Sequence, residues 1–165
     1  MALGSRFGKT SPCYHKNCDC CAAVQNENTT TVNGKTVHTA PGDCSTYNII
    51  YLIKCKICNK PYIGKSTRPL RTRFGEHWRA FYKVIPNPEN IDSDDDEFSI
   101  GLHLFNEHNL NDRADFNLNV DVSILENVSP YDIDCKEHKF IHRFKSLRPL
   151  GMNTINPFKI PLLHI

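Results

Sequence analysis

Hydrophobic positions in this chain divide into an unpatterned N-terminal stretch and a strongly patterned remainder. Before residue 44, Asn, Thr and Gly dominate and no apolar period emerges, so something other than a core must order that part. Within it, Val32-Asn33-Gly34-Lys35-Thr36-Val37 predicts a short hairpin, because Asn-Gly favours a tight primed turn. From Tyr47 to Lys54 a β-branched and aromatic run predicts a buried strand. Cys55 to Pro61 reads as a turn, and Tyr62-Ile63-Gly64 opens a second strand that completes a hairpin. Ser66 or Thr67 is expected to cap the next helix, with Pro69 in its first turn. Leu70, Phe74, Trp78 and Phe81 then form one helical stripe through about Lys83.

Further on, Ile100 to His108 predicts a short helix, and alternation at Phe116, Leu118, Val120, Val122 and Ile124 predicts a third strand. A last helix over about Cys135 to Leu147 turns Phe140, Ile141, Phe144 and Leu147 inward and stops at Pro149 and Gly151. The sum is an α+β fold: a small three-stranded antiparallel sheet flanked by helices, behind a Cys-rich N-terminal extension. The expected division is a Cys-rich segment at 1–44, a core at 45–156 and an extended tail at 157–165.

The length of 165 residues and the 39% hydrophobic content suit one compact domain. No apolar run approaches the ~20 residues of a membrane span, and no secretory leader opens the sequence. The net charge of +2 conceals two opposed blocks. Between Lys54 and Lys83 nine Lys or Arg face the single acid Glu76, a field suited to phosphate, with Lys54, Lys56, Lys60, Arg68, Arg71 and Arg79 as expected nucleic-acid contacts. The acidic stretch from Asn87 to Glu97 reads as a solvated loop rather than a site.

Eight cysteines in short, clustered spacings favour metal ligation over a disulfide framework. Cys55-x2-Cys58 with His103-x4-His108 has the spacing of a structural zinc site. Cys13, Cys18, Cys21 and Cys44 form a second candidate that would staple the coreless segment to the first strand. Cys20 could replace Cys21, and His15 and His38 are further candidates. Cys135 reads as a free buried thiol.

Five features coincide around possible catalytic chemistry. Tyr51 ends the apolar run of the first strand and Tyr62 opens the second. Arg73 and His77, at i and i+4, share a helix face. Glu137 precedes Phe140-Ile141 by one turn, although Asp134-Cys-Lys-Glu137 also reads as a capping box. Asn153 follows the last helix.

Tyr62-Ile63-Gly64 followed by Leu70-x-x-Arg73-x-x-x-His77 resembles the second motif and first helix of the GIY-YIG nuclease family. Glu137-x-x-Phe140-Ile141, with Pro149 and Asn153, is similar to that family's metal-binding helix and terminal asparagine. Ile49-Ile50-Tyr51 keeps the first tyrosine but has Ile where the family carries glycine. The inserted Cys55/Cys58 and His103/His108 pairs narrow the resemblance to the endonuclease domain of Penelope-like retroelements.

That resemblance implies a DNA endonuclease that nicks one strand, leaves 3′-hydroxyl and 5′-phosphate ends, and primes reverse transcription. It implies one Mg²⁺ or Mn²⁺ on Glu137, Tyr51 as base, and Arg73 on the scissile phosphate. Tyr62 and His77 would orient water and phosphate, Lys65 would help lower the Tyr51 pKa, and Asn153 would hold the geometry. Two structural Zn²⁺ ions, a partner reverse transcriptase domain in a longer parent protein with its RNA, and work in the nucleus follow from the same likeness. A catalytically silent zinc-dependent nucleic-acid-binding module is the competing expectation.

Overall fold

Residues 8–154 are described in the computed structural model. Asn33 and Gly34 both take positive φ, as the tight turn requires, and join β1 (Thr29–Val32) to β2 (Lys35–His38). The Tyr47–Lys54 run becomes β3 (Ile49–Cys55), buried along its whole length. It pairs antiparallel with β4 (Pro61–Ser66). Helix α1 (Leu70–Val84) follows, then α2 (Ser99–His108) and a short α3 (Asp115–Asn119). Strand β5 (Val120–Asn127) and helix α4 (Ile133–Phe144) complete the order. The three-stranded sheet runs β4-β3-β5, antiparallel throughout, so the expected α+β architecture with a small antiparallel sheet holds.

A strand apolar at every position must be covered on both faces. Ile49, Tyr51 and Ile53 pack with Leu70, Phe74 and Phe81 of α1 and with Ile100 and Leu104 of α2. Ile50 and Leu52 point the other way, against Val32 of the hairpin and Ile133, Ile141 and Phe144 of α4. The sheet is thus the middle of three layers. A bulge between Ile50 and Tyr51 in the β3–β5 register adds local twist where Tyr51 turns toward α1.

The N-terminal segment is ordered by the sheet's exposed edge. Val122 N–H donates to Ala23 O, Gln25 N–H to Val122 O and Ala40 N–H to Ile124 O. Thr10 Oγ1 accepts from Ile124 N–H and donates to Ala40 O. Free edge groups of β5 are thereby paired, which removes a template for aggregation.

Three expectations need correction. Residues 115–119 form a helical turn instead of the start of a strand: Asp115 Oδ2 accepts from the Asn111 and Asp112 amides, and Asn119 donates back to Asp115 O. Local side-chain bonds outcompete the ladder there, leaving Leu118 exposed while Phe116 is buried. Neither Ser66 nor Thr67 caps α1; Pro69 stands at the N-cap, and Ser66 Oγ closes its own turn with Arg68. The amides of Leu70 and Arg71 donate instead to Thr46 O and Cys44 O. Cys135 is an exposed thiol, because α4 turns that face to solvent. The tail expected at 157–165 lies outside the described residues.

Candidate functional site

Tyr51, Tyr62 and His77 form a buried aromatic cluster where β3, β4 and α1 meet, with ring centroids 5.1–6.4 Å apart. Tyr51 Oη lies 2.7 Å from His77 Nε2 and accepts from Arg73 Nε–H at 3.2 Å. The i,i+4 spacing of Arg73 and His77 puts both on the α1 face that covers Tyr51. Gly64 stands opposite Tyr51 in the ladder, and a Cβ there would collide with the Tyr51 phenol. The glycine is therefore a packing requirement of the tyrosine, independent of any turn.

Burial pushes the Tyr51 phenol above its ordinary pKa, and the nearby Arg73 offsets this only in part. Tyr51 is also fully buried. The expected lowering of its pKa by Arg73 and Lys65 is therefore not found; loss of hydration outweighs the cation. His77 is pushed down to about 3 by burial and then by Arg73, so its imidazole is neutral at physiological pH. Its Nδ1 has no hydrogen-bond partner among the described residues.

This state of His77 has a measurable consequence. The unfolded chain binds a proton on this side chain below about pH 6.5, whereas the folded chain refuses it down to about 3. Stability contributed by neutral His77 is present above pH 6.5 and is lost as pH falls toward 3. Urea unfolding of wild type and His77→Gln at pH 7.5 and 5 should show the wild type losing more stability on acidification; equal losses would refute the assignment.

Next to this cluster opens a cleft of about 480 Å³, lined by Tyr62, Lys65, Arg68, Arg73, Asp96 and Glu137 among others. Glu137 projects from α4 into it. The alternative capping box is not formed: Asp132 occupies the N-cap without a side-chain cap bond, and Glu137 instead meets Lys65 Nζ at 3.2 Å. Lys65 also binds Asp134 on the same helix. Burial raises the Glu137 pKa and Lys65 partly offsets it. Its oxygen already accepts a cationic neighbour, and a carboxylate is a suitable hard ligand for Mg²⁺ or Mn²⁺.

Asn153 is away from the cleft surface and buried. Its carboxamide accepts from Ile63 N–H at 2.9 Å and donates to Ile63 O at 2.9 Å, completing the β4 edge between Tyr62 and Gly64. Two contributors escaped the sequence reading. Glu76 accepts from Arg73 Nη1 at 2.7 Å and pairs with Arg68, which fixes the guanidinium's direction. Burial pushes the Glu76 carboxyl up, but the two arginines together hold it below the usual range. Asp96 accepts from Tyr62 Oη–H at 2.8 Å. The acidic stretch is accordingly not merely a solvated loop.

Both expected zinc clusters assemble. Cys13, Cys18, Cys21 and Cys44 bring their sulfurs within 4.8 Å of one another, as do the donor atoms of Cys55, Cys58, His103 and His108. Cys13 and Cys21 sulfurs lie 3.5 Å apart and Cys21 and Cys44 sulfurs 3.7 Å. Tetrahedral zinc with Zn–S bonds of ~2.3 Å requires an S···S edge of about 3.8 Å. These distances fit a shared cation and are too long for an S–S bond, and all eight cysteines are free thiols in this structure. Cys21 and not Cys20 stands in the cluster, although the Cys20 thiol lies beside Cys44; His15 and His38 are not in it.

In the second cluster His103 Nε2 lies 3.2 Å from both Cys58 Sγ and His108 Nε2. His103 Nδ1 faces Glu107 at 3.4 Å, and Glu107 is held by Lys60. A carboxylate behind a ligating imidazole fixes its tautomer, which a zinc site requires. Burial and neighbouring thiols raise Cys18 to about 12, a cost that a bound cation would remove.

The basic block is less available than its sequence suggests. Lys54 is 8% exposed and donates to Thr30 Oγ1 and Thr31 O of the hairpin, so it does not offer charge to a ligand. Lys56 pairs with Asp121 and Lys60 with Glu107. Arg71 and Arg79 line a second groove with Trp78, and neither has an ion pair among the described residues. Lys54→Ala should cost about 1–3 kcal/mol of stability by leaving Thr31 O without its donor, while DNA affinity stays near wild type. Chemical denaturation and a filter-binding titration check the two halves; weakened binding at unchanged stability would reverse the assignment.

No family model, curated protein or solved structure matches this chain.

Proposed function

We propose that the chain is a divalent-metal-dependent DNA endonuclease of the GIY-YIG kind, of the type carried by Penelope-like retroelements. One observation carries this reading: Tyr62, Lys65, Arg73 and Glu137, drawn from a strand and two helices, line a single cleft. Among acid, base and phosphate-binding groups, this set serves the needs of phosphodiester cleavage.

Arg73, with its orientation held by Glu76 and Tyr51, presents a planar fork to the scissile phosphate. Glu137 would hold the catalytic Mg²⁺ or Mn²⁺, an ion that would supply neutralisation of phosphate charge and an acidic water. Tyr62, the phenol that borders the cleft, orients the attacking water by accepting its hydrogen bond, and the proton that water sheds leaves to solvent through the open cleft. Tyr51, buried behind it, orients Arg73 and His77 instead of serving as the base. Asn153 holds β4 so that Tyr62 keeps its position. The two Cys/His clusters hold structural Zn²⁺, since four protein ligands leave no position open for substrate.

DNA enters along Arg71 and Arg79, with Arg68, Lys56 and Lys60 contributing only where their acidic partners release them. A nick with a 3′-hydroxyl end would prime reverse transcription by a partner domain on its RNA, in the nucleus. Supercoiled plasmid with Mg²⁺ should relax to the open circle, and the nick should be a substrate for ligase and for polymerase extension. Ends that neither enzyme accepts would reject the hydrolytic chemistry proposed here.

The catalytically silent binding module is the second reading. It is favoured by Lys65, whose ammonium lies against the carboxylate that the catalytic ion must engage. Tight, salt-sensitive DNA binding without metal-dependent nicking would select it.

A further inference from the structure

We infer that Asp96 is a positioning residue of this cleft, holding the Tyr62 hydroxyl so that the phenol oxygen faces the attacking water as an acceptor. The inference rests on the nuclease reading and extends it to a residue outside the motifs. Tyr62 Oη–H donates to Asp96 Oδ2 at 2.8 Å. With its only proton committed there, the phenol meets anything else in the cleft through its lone pairs. Tyr62 is 2% exposed and touches open space only where it lines the cleft, so a water held in the cleft is what meets its oxygen.

Asp96 is itself fixed from three sides. Its Oδ1 accepts from Thr154 N–H at 2.9 Å and from Thr154 Oγ1 at 3.1 Å, one residue beyond Asn153. Its backbone carbonyl accepts from Ser99 Oγ, in the first turn of α2. Asp95 closes the 3-10 turn over Asp96–Phe98 by accepting from Glu97 N–H. Because that turn runs directly into α2, which carries His103 and His108, Asp96 sits at the far end of the helix that the second zinc site anchors.

Asp96→Asn separates positioning from tethering. The asparagine keeps an oxygen for Thr154, so the loop stays attached, but its amide now donates to Tyr62 Oη and turns the hydroxyl proton toward the cleft. In plasmid nicking with Mg²⁺, kcat should fall at least about tenfold. KM for DNA should stay level or drop, because a negative charge near the phosphate path is gone. Asp96→Glu should recover part of kcat. In a Tyr62→Phe background, Asp96→Asn should have no further effect on kcat.

Wild-type kcat in Asp96→Asn, or an equal loss with and without the Tyr62 hydroxyl, overturns the inference alone. A wild-type protein that fails to nick overturns the nuclease reading and this inference with it.

Discussion

Glu137→Gln should abolish metal-dependent nicking, by about 10³-fold or more, while leaving DNA binding and zinc content intact. The substitution is nearly isosteric and removes one charge. Glu137 is mostly buried at the cleft wall, where a neutral amide oxygen is a much weaker ligand for a hard divalent cation than a carboxylate. Loss of a catalytic ion removes charge stabilisation at the phosphate and an acid for the leaving group together, so the two effects compound. The fold should tolerate it: Lys65 keeps Asp134, and Glu137 makes no cap bond that α4 needs. Initial nicking rates over a Mg²⁺ titration, beside a gel-shift titration in Ca²⁺, are the measurements. Equal nicking by wild type and variant would remove Glu137 from the mechanism.

Stripping zinc should be the larger perturbation of structure. Metal analysis of purified protein should find two zinc ions per chain, and one after Cys58→Ser. Structural zinc contributes on the order of 10 kcal/mol in small domains, as much as the whole stability of an ordinary domain. The two sites should not fail alike. Losing the Cys13/Cys18/Cys21/Cys44 site frees the segment that pairs with β5, so that edge should exchange amide protons first. Losing the Cys55/Cys58/His103/His108 site releases α2 from the β3–β4 turn, and with it the arm that brings Asp96 to Tyr62. Chelation should therefore suppress nicking even when Mg²⁺ is restored in excess, and added Zn²⁺ should recover it. A chelated protein that unfolds at the wild-type temperature would show that the clusters hold no structural metal.

Much of this was open to inspection in the sequence, for identifiable reasons. Strand β3 announced itself because a fully buried strand needs apolar residues on both faces, and Ile49 to Ile53 supply them. The Asn33-Gly34 turn has a local cause and therefore a local signature. Both cysteine clusters followed from the spacing that tetrahedral ligation imposes on the chain. Failures have causes just as specific. The alternation from Phe116 to Ile124 looked uniform, yet Asp115 and Asn119 bond locally and coil its first turn. Lys54 looked like its basic neighbours because charge is visible in a sequence and burial is not.

By itself the sequence determined the order of the main elements, the α+β class, the two candidate metal clusters save the choice between Cys20 and Cys21, and the residues around which a nuclease reading could be built. The elements depend on periodicity and turn chemistry, and each ligand set on short paired spacings such as Cys55-x2-Cys58 and His103-x4-His108, all of which lie within a few residues of chain. Only the tertiary structure decided which charges remain free, which tyrosine borders the cleft, and that Asp96 reaches Tyr62 across 34 positions. Solvation and pKa are set by what surrounds a group in space, and neighbours so distant along the chain leave no pattern in its sequence.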